Sequence, residues 1–335
     1  MTDAAMRGDG GVNPTLRGVL PILTVLLIII VLWYLAAIWM NATWVRDQAA
    51  RADAVLTTGD LIRQTLTLER PVLPAPHQVA VGLWDGIAGQ AVTSRRSLVW
   101  HAWVTLSATL AGFAIGTAAG ILLAVGIVHN RAMDQSVMPW AVASQTVPIL
   151  AIAPMVIVVM ASAGITGLLP KAIIAAWLSF FPVLVGMVKG LRTPDAMQLD
   201  LMHSWSASRA QQFWRLRLPS SLPYLFASLK VAIAAALVGT IVGELPAGAT
   251  AGLGARLLSG SYYGQTVQIW AALFAAAILA AGLVMLIGWI ERRTLHRMGL
   301  ARLARCPSSA SGWPPWRSTA GWRGSTRAPR GLQWP

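Results

Sequence analysis

From Val19 to Met40 the chain reads VLPILTVLLIIIVLWYLAAIWM, without a single charged side chain. A bilayer core about 30 Å thick takes about 20 apolar residues in a helix. The run is longer than a signal-peptide core of about 7–15 residues, so it reads as a retained transmembrane helix. Five more runs of similar length follow: about Leu98–Val128, Val137–Ala161, Leu168–Val188, Leu222–Glu244 and Val267–Ile290, the last stopped by Glu291, Arg292 and Arg293. With 56% of the 335 residues hydrophobic and 11% charged, composition agrees with the runs and not with a water-soluble globule. The predicted fold is all-α, a polytopic membrane protein with six transmembrane helices.

A net charge of +14 would suggest nucleic acid in a soluble chain, but here the charges flank the apolar runs. Arg7, Arg17, Arg131, Lys189, Arg192 and the arginines from 209 to 217 share one side if the N-terminus is cytoplasmic. The opposite set lies mostly in one long loop, 41–97, mixed with acids, and long loops weigh less in the positive-inside rule. Both termini are therefore expected in the cytoplasm. The layout is a tail 1–18, a first span 19–40, a periplasmic loop 41–97, and a core 98–293 of five spans with a cytoplasmic loop at 191–221. A tail 294–335 follows. Within the outer loop, Val55 to Leu68 is weakly amphipathic, fitting either an interfacial helix or a solvated segment. The prolines of Leu73-Pro74-Ala75-Pro76 forbid a regular helix there.

Several chemistries are excluded. Cys306 is the single cysteine, and the five histidines are too dispersed for a metal site, so neither a metal nor another cofactor is expected. The only lysines are Lys171, Lys189 and Lys230, none after a glycine, so no Walker A loop can cradle ATP phosphates. Lys230 can snorkel toward the cytoplasm. The only acid inside the six runs is Glu244. It lies about 21 residues beyond Pro223, roughly 30 Å along a helix and so at the outer boundary. That position suits a proton relay poorly and leaves Glu244 either touching a transport path or ending a helix.

The loop between the fourth and fifth runs carries the most information. Asp195, after Pro194, can start a helix whose Leu199 and Met202 share a face, with a break near Ser206. Ser208 and Gln211 then form an S-x-x-Q capping box, Phe213 and Leu216 supply an apolar face, and Pro219 and Pro223 are expected to end the element. Two short helices bearing basic and aromatic side chains fit a docking element for another protein, or a pair of helices lying on lipid headgroups.

This loop resembles the E-A-A…G…L-P loop of ABC importer permeases. Asp200, Leu201 and Met202 stand where that family has Glu-Ala-Ala, Ser206 where it has Gly, and Leu218-Pro219 at its Leu-Pro. Ser206 must then make a turn that glycine makes easily. Ala207, Ser208, Arg209, Gln211, Phe213 and the run Leu216 to Pro223 look like the nitrate/sulfonate/taurine branch. Leu73 to Pro76, the series His101, Thr105, Thr109, Gly112, Gly116 and Gly120, then Gly243-Glu244 and Gly252-Leu253-Gly254, extend the likeness over about 73–293. Glycines four apart also let helices approach closely.

The resemblance implies a type I importer permease of the bacterial inner membrane that dimerises with itself. Two cytoplasmic ATPase subunits would grip the loop, and a solute-binding protein would deliver solute from outside. No enzymatic activity and no nucleic-acid partner are implied for this chain. The wording from Asp200 to Lys230 looks most like members assigned to hydroxymethylpyrimidine or similar vitamin precursors; sulfonates, taurine and nitrate stay open. The alternative is an ion-coupled secondary transporter, against which the lack of mid-membrane acids counts. A membrane enzyme would need a nucleophile or metal set that the sequence lacks. A scaffold that transports nothing is a further alternative. The last thirty residues hold four tryptophans, five prolines, four arginines and no acid. They read as disordered, from a shifted reading frame, in preference to a lipid or nucleic-acid contact.

Overall fold

The computed structural model describes residues 14–246 and 249–298, with side chains from Leu20 onward. The expectations for the two tails lie outside the described residues. Contacts group the described residues up to Glu291 into one compact unit, and the described part of the second unit, 292–298, is helical up to Arg297. Twelve α-helices carry the described fold, which is all-α as expected. They are α1 Pro14–Arg51, α2 Thr58–Thr67, α3 Pro76–Ile87, α4 Leu98–His129, α5 Arg131–Ser144 and α6 Ile149–Ser162. The rest are α7 Leu168–Leu191, α8 Ala196–Ser204, α9 Arg209–Gln212, α10 Leu218–Glu244, α11 Leu253–Tyr262 and α12 Thr266–Arg297.

Five helices are long and apolar enough to cross a bilayer unaided: α1, α4, α7, α10 with the turns before it, and α12. The third expected span is not one helix. It is α5 and α6, bent by 97° at Gln145–Pro148. Pro148 has no N–H to donate and pushes Val147 out of the helical region, so the helix stops and restarts. The pair nevertheless runs the length of the bundle. On α4, Gly112, Gly116 and Gly120 face Ala175, Ser179 and Val183 of α7 in the same order, so these two helices are parallel. Parallel neighbours require the chain to return to its starting end between them, and α5–α6 make that return. Against α7, helix α10 is antiparallel: Gly186 meets Ser228 while Gly239 meets Ala175.

Small residues set the α4–α7 spacing. A Cβ at Gly120 would sit 2.7 Å from the Phe180 carbonyl oxygen, and one at Gly116 would collide with the Ser179 hydroxyl. His101, Thr105, Thr109, Gly112, Gly116 and Gly120 are all buried and recur every three or four residues, one stripe of α4. Beyond the stripe, Ala124 and Ile127 join Phe180, Leu184, Met187 and Leu191 in the main apolar cluster. By contrast α1 leaves Leu23, Leu26, Ile29 and Leu32 exposed, as a lipid-facing helix should.

The apolar run ends at Met40, but α1 continues to Arg51, since helix geometry does not stop where a bilayer would. Val55–Leu68 contains the helix α2, and Pro76 opens α3 as its first residue, the one helical position where a missing N–H costs nothing. The proline-rich segment between them is pinned by side chains. Asn41 donates to the Leu73 carbonyl at 2.9 Å and accepts from the Val72 N–H at 2.8 Å. Trp33 Nε1 donates to Pro74 O at 3.1 Å, and Thr266 Oγ1 donates to Pro71 O at 2.6 Å.

Pro219 and Pro223 do not end the loop element. From α9 the chain passes through a π-turn, Phe213–Arg217, straight into α10, giving one helix from Arg209 to Glu244. The Leu218 N–H bonds the Phe213 carbonyl, five residues back, and Pro219 then sits in the first turn of α10. The register shift absorbs the missing donor. Lys230, expected to snorkel, is paired with Glu291 of α12.

Gly116→Val should overpack the α4–α7 contact and cost about 1–3 kcal/mol. The expected reading is a lower unfolding midpoint in detergent, with an exposed-face control such as Leu122→Val unchanged.

Candidate functional site

Two sites stand at opposite ends of the 36-residue helix that runs from Arg209 to Glu244. At a rise of 1.5 Å per residue that is roughly 50 Å.

The loop site is built locally. Asp195 precedes α8, and its N–H donates to the Gln198 side chain at 3.3 Å. Ser206 stands at φ +52°, the left-handed conformation that turns the chain between α8 and α9. Ser208 completes the expected box: its Oγ accepts from the Gln211 N–H at 3.3 Å and its own N–H donates to Gln211 Oε1 at 2.9 Å. The Ala207 N–H returns to the Met202 carbonyl at 3.0 Å, and buried Gln212 donates to the Ala207 carbonyl at 3.4 Å. Phe213 meets the His129 ring edge-on, centroids 5.2 Å apart, and with Leu218 joins the main apolar cluster. Asp200, Leu201, Ser208, Arg209 and Gln211 are exposed; Met202, Ala207, Phe213, Leu218 and Pro219 are half-buried.

The outward face of α8 lies away from the face that Leu199 and Met202 share. Leu199 and Met202 turn partly inward, and the exposed apolar side chains are Met197 (84%), Leu201 (52%) and Trp205 (72%). Their i, i+4, i+8 spacing makes one stripe. Met197 and Trp205 were not among the expected site residues, though that spacing marks them. A solvated loop has no reason to carry such a stripe.

At the far end Glu244 is completely buried and fully partnered. Thr105 Oγ1 lies 2.9 and 3.1 Å from its two oxygens, Lys171 Nζ lies 3.3 Å from Oε1, and the Gly254 N–H donates to Oε2 at 2.9 Å. The Leu253 N–H donates to Thr105 Oγ1 at 2.8 Å, and the Gly252 N–H to His101 Nδ1 at 3.0 Å. His101 Nε2 meets the Arg95 carbonyl at 2.9 Å, so the ring is the Nε2–H tautomer. Three successive N–H groups at the start of α11, which a helix cannot satisfy itself, are thus capped by side chains of α4 and α10. Gly252 is required: its φ is +128°, and a Cβ there would strike the Glu244 carboxyl group. Glu244 therefore ends α10 and also holds four helices. Its partners were missed because Thr105 and Lys171 are 139 and 73 residues away.

Beside this network lies a cavity of about 660 Å³. Val104 and Ser107 of α4, Ala161 of α6, Lys171 of α7 and the segment Ala249–Ala251 line it, together with the exposed Ile165–Gly167 turn.

The family profile described as "Binding-protein-dependent transport system inner membrane component" matches residues 116–299. A riboflavin transport system permease protein from Chloroflexus aurantiacus is 32% identical over 222 residues, 66% of this chain and 78% of that protein. A formylaminopyrimidine transport permease protein from Halalkalibacterium halodurans is 31% identical over 183 residues, 55% of this chain and 68% of its own length. A putative aliphatic sulfonates transport permease protein from Bacillus subtilis is 22% identical over 243 residues, 67% of this chain and 85% of its own length.

Thr105→Val should leave the Leu253 N–H without an acceptor and remove one donor from the Glu244 carboxylate, costing about 1–3 kcal/mol. Thermal unfolding in detergent reads the loss, and Thr105→Ser should restore most of it. At the loop, Ser206→Gly removes left-handed strain of about 1 kcal/mol. It should slow amide exchange in Ala196–Ser204.

Proposed function

Because the chain belongs to the inner-membrane components of binding-protein-dependent transport systems, we propose that its 191–221 loop is the ATPase-docking element of an importer for a small heteroaromatic solute. Permeases of this family are non-catalytic, multi-pass inner-membrane subunits of ABC importers; they form a translocation path and work with ABC ATPase and solute-binding subunits.

The observation that carries the docking reading is the unbroken helix from Arg209 to Glu244. An ATPase that gripped the exposed α8 stripe and the Ser208–Gln211 cap would push on the base of that helix. A rigid helix carries the displacement to its other end, where Glu244 holds α4, α7 and α11. Alternating access needs such an element, with two arrangements that ATP binding biases. Met197, Asp200, Leu201, Trp205 and Arg209 supply the contact surface; Met202, Ser206, Ala207, Ser208, Gln211 and Phe213 hold its shape; Leu218 and Pro219 join it to the span. Two copies of the chain complete the pathway, and the loop end of the bundle is cytoplasmic, with both termini on that side. The solute reading rests on the riboflavin and formylaminopyrimidine transport proteins, which are more similar in sequence to this chain than the sulfonate protein is.

Purification from native membranes should bring down a cytoplasmic ATPase, and replacing Ala196–Ser204 by a Gly-Ser linker should lose it. Ser208→Pro deletes both bonds of the cap and should lower ATP-driven uptake at least tenfold while leaving membrane insertion intact. Unchanged uptake in that variant, or no ATPase with the unaltered chain, would overturn the docking role.

A further inference from the structure

We propose that the cavity beside Glu244 is a solute subsite, in which Lys171 donates one hydrogen bond to an uncharged, acceptor-bearing solute and anions are disfavoured. This rests on the importer reading and deepens it by giving the solute its charge class.

The argument starts from the donor count of one ammonium group. A lysine Nζ carries three N–H donors and no acceptor. Among the described residues Lys171 uses two, one to Glu244 Oε1 at 3.3 Å and one to the Ala251 carbonyl at 2.9 Å. Its side chain is 13% exposed and lines the cavity, so the third N–H is left for whatever enters. Among the described residues that line the cavity, Lys171 is also the only ionisable one.

Charge balance then decides what that N–H prefers. The ammonium is already neutralised by a carboxylate 3.3 Å away that is wholly buried. An incoming anion would lose its hydration and meet a neutral pair whose carboxylate repels it. An uncharged solute with a carbonyl oxygen or ring nitrogen loses much less on entry and gains a hydrogen bond from a charged donor. About 660 Å³ suits a molecule of one to three fused rings, and the remaining polar contacts can come from Ser107, Thr166 and Thr250. The apolar wall, Val104, Ile157, Ala161 and Leu168, matches the faces of a planar ring.

The wall is held by the carboxylate network. Ala249–Ala251 form one side of the cavity, and this segment is anchored at Ala251 by Lys171 and just beyond it by the capped N–H groups of Gly252, Leu253 and Gly254. Glu244 is therefore a positioning residue: it sets the charge state of the site and the place of its wall without lining the cavity.

The test is uptake by cells carrying the complete importer, with radiolabelled formylaminopyrimidine and riboflavin as neutral probes and nitrate and methanesulfonate as anionic ones. At least one neutral probe should be imported, neither anion should compete at tenfold excess, and Lys171→Met should lower neutral uptake at least tenfold. Because Lys171→Met strips Glu244 of its counter-charge and can prevent folding, Ala161→Phe, which fills the cavity from α6 without touching the pair, should give the same tenfold loss. Import of an anion in preference to both neutral probes, import of neither neutral probe, or neutral import unaffected by Ala161→Phe would overturn the subsite. Neutral import that Ala161→Phe blocks but that needs no ATP would uphold the subsite and overturn the importer reading.

Discussion

The rest of the structure depends on the burial of one carboxylate. Glu244 has no access to water, and a charge in that position persists only if its oxygens are fully hydrogen-bonded and a counter-charge is close. Meeting those demands fixes the register of separate helices. Thr105 must face α10, Lys171 must reach across from α7, and the N-terminus of α11 must present its N–H groups. The glycine at 252 follows from the same demand, because any side chain there would occupy the carboxylate's place. One wall of the cavity and the place of its lysine follow from this network.

The bundle's second organising constraint is direction. Parallel α4 and α7, locked by small residues at close range, oblige the chain between them to travel back along the bundle, and the bent α5–α6 pair does so. Antiparallel α10 then returns from the loop to the carboxylate in one continuous helix. The π-turn at Phe213–Arg217 carries the helix into Pro219, in the first turn of α10, and Pro223 lies within α10. A sharp break there would have isolated the loop mechanically; a shifted register preserves a rigid connection between a surface that can be gripped and a site that can respond.

Local features were readable in the chain itself. The Ser208–Gln211 cap and the Ser206 turn were expected from residues within four positions of one another, and the structure has both. The α4 stripe of histidine, threonines and glycines was expected as a motif, and the structure supplies its reason: the polar end feeds Glu244 and the glycine end admits α7. Readings fell short where the deciding partner was remote or the register irregular. Pro219 and Pro223 were read as terminators because a proline interrupts the i→i−4 pattern; the π-turn leads into Pro219 in the first turn of α10, and Pro223 lies inside α10. The third span was read as a single helix because hydropathy does not register the bend at Pro148. Glu244 was read as either ending a helix or touching a transport path; it does end α10, and the network around it was out of reach because its partners lie 139 and 73 residues away.

The sequence by itself determined that this chain is an all-α, multi-spanning membrane protein, and it located the turn and cap of the loop between α7 and α10. Those properties depend on run length, charge placement and hydrogen bonds between near neighbours, all of which are written along one dimension. Only the tertiary structure decided that Met197, Leu201 and Trp205 form the outward face of α8, that Lys171 and Glu244 neutralise each other, and that a cavity opens beside them. These depend on which helix surfaces meet and at what register, and that is settled by close packing and by the need to satisfy buried polar groups across segments far apart in the chain.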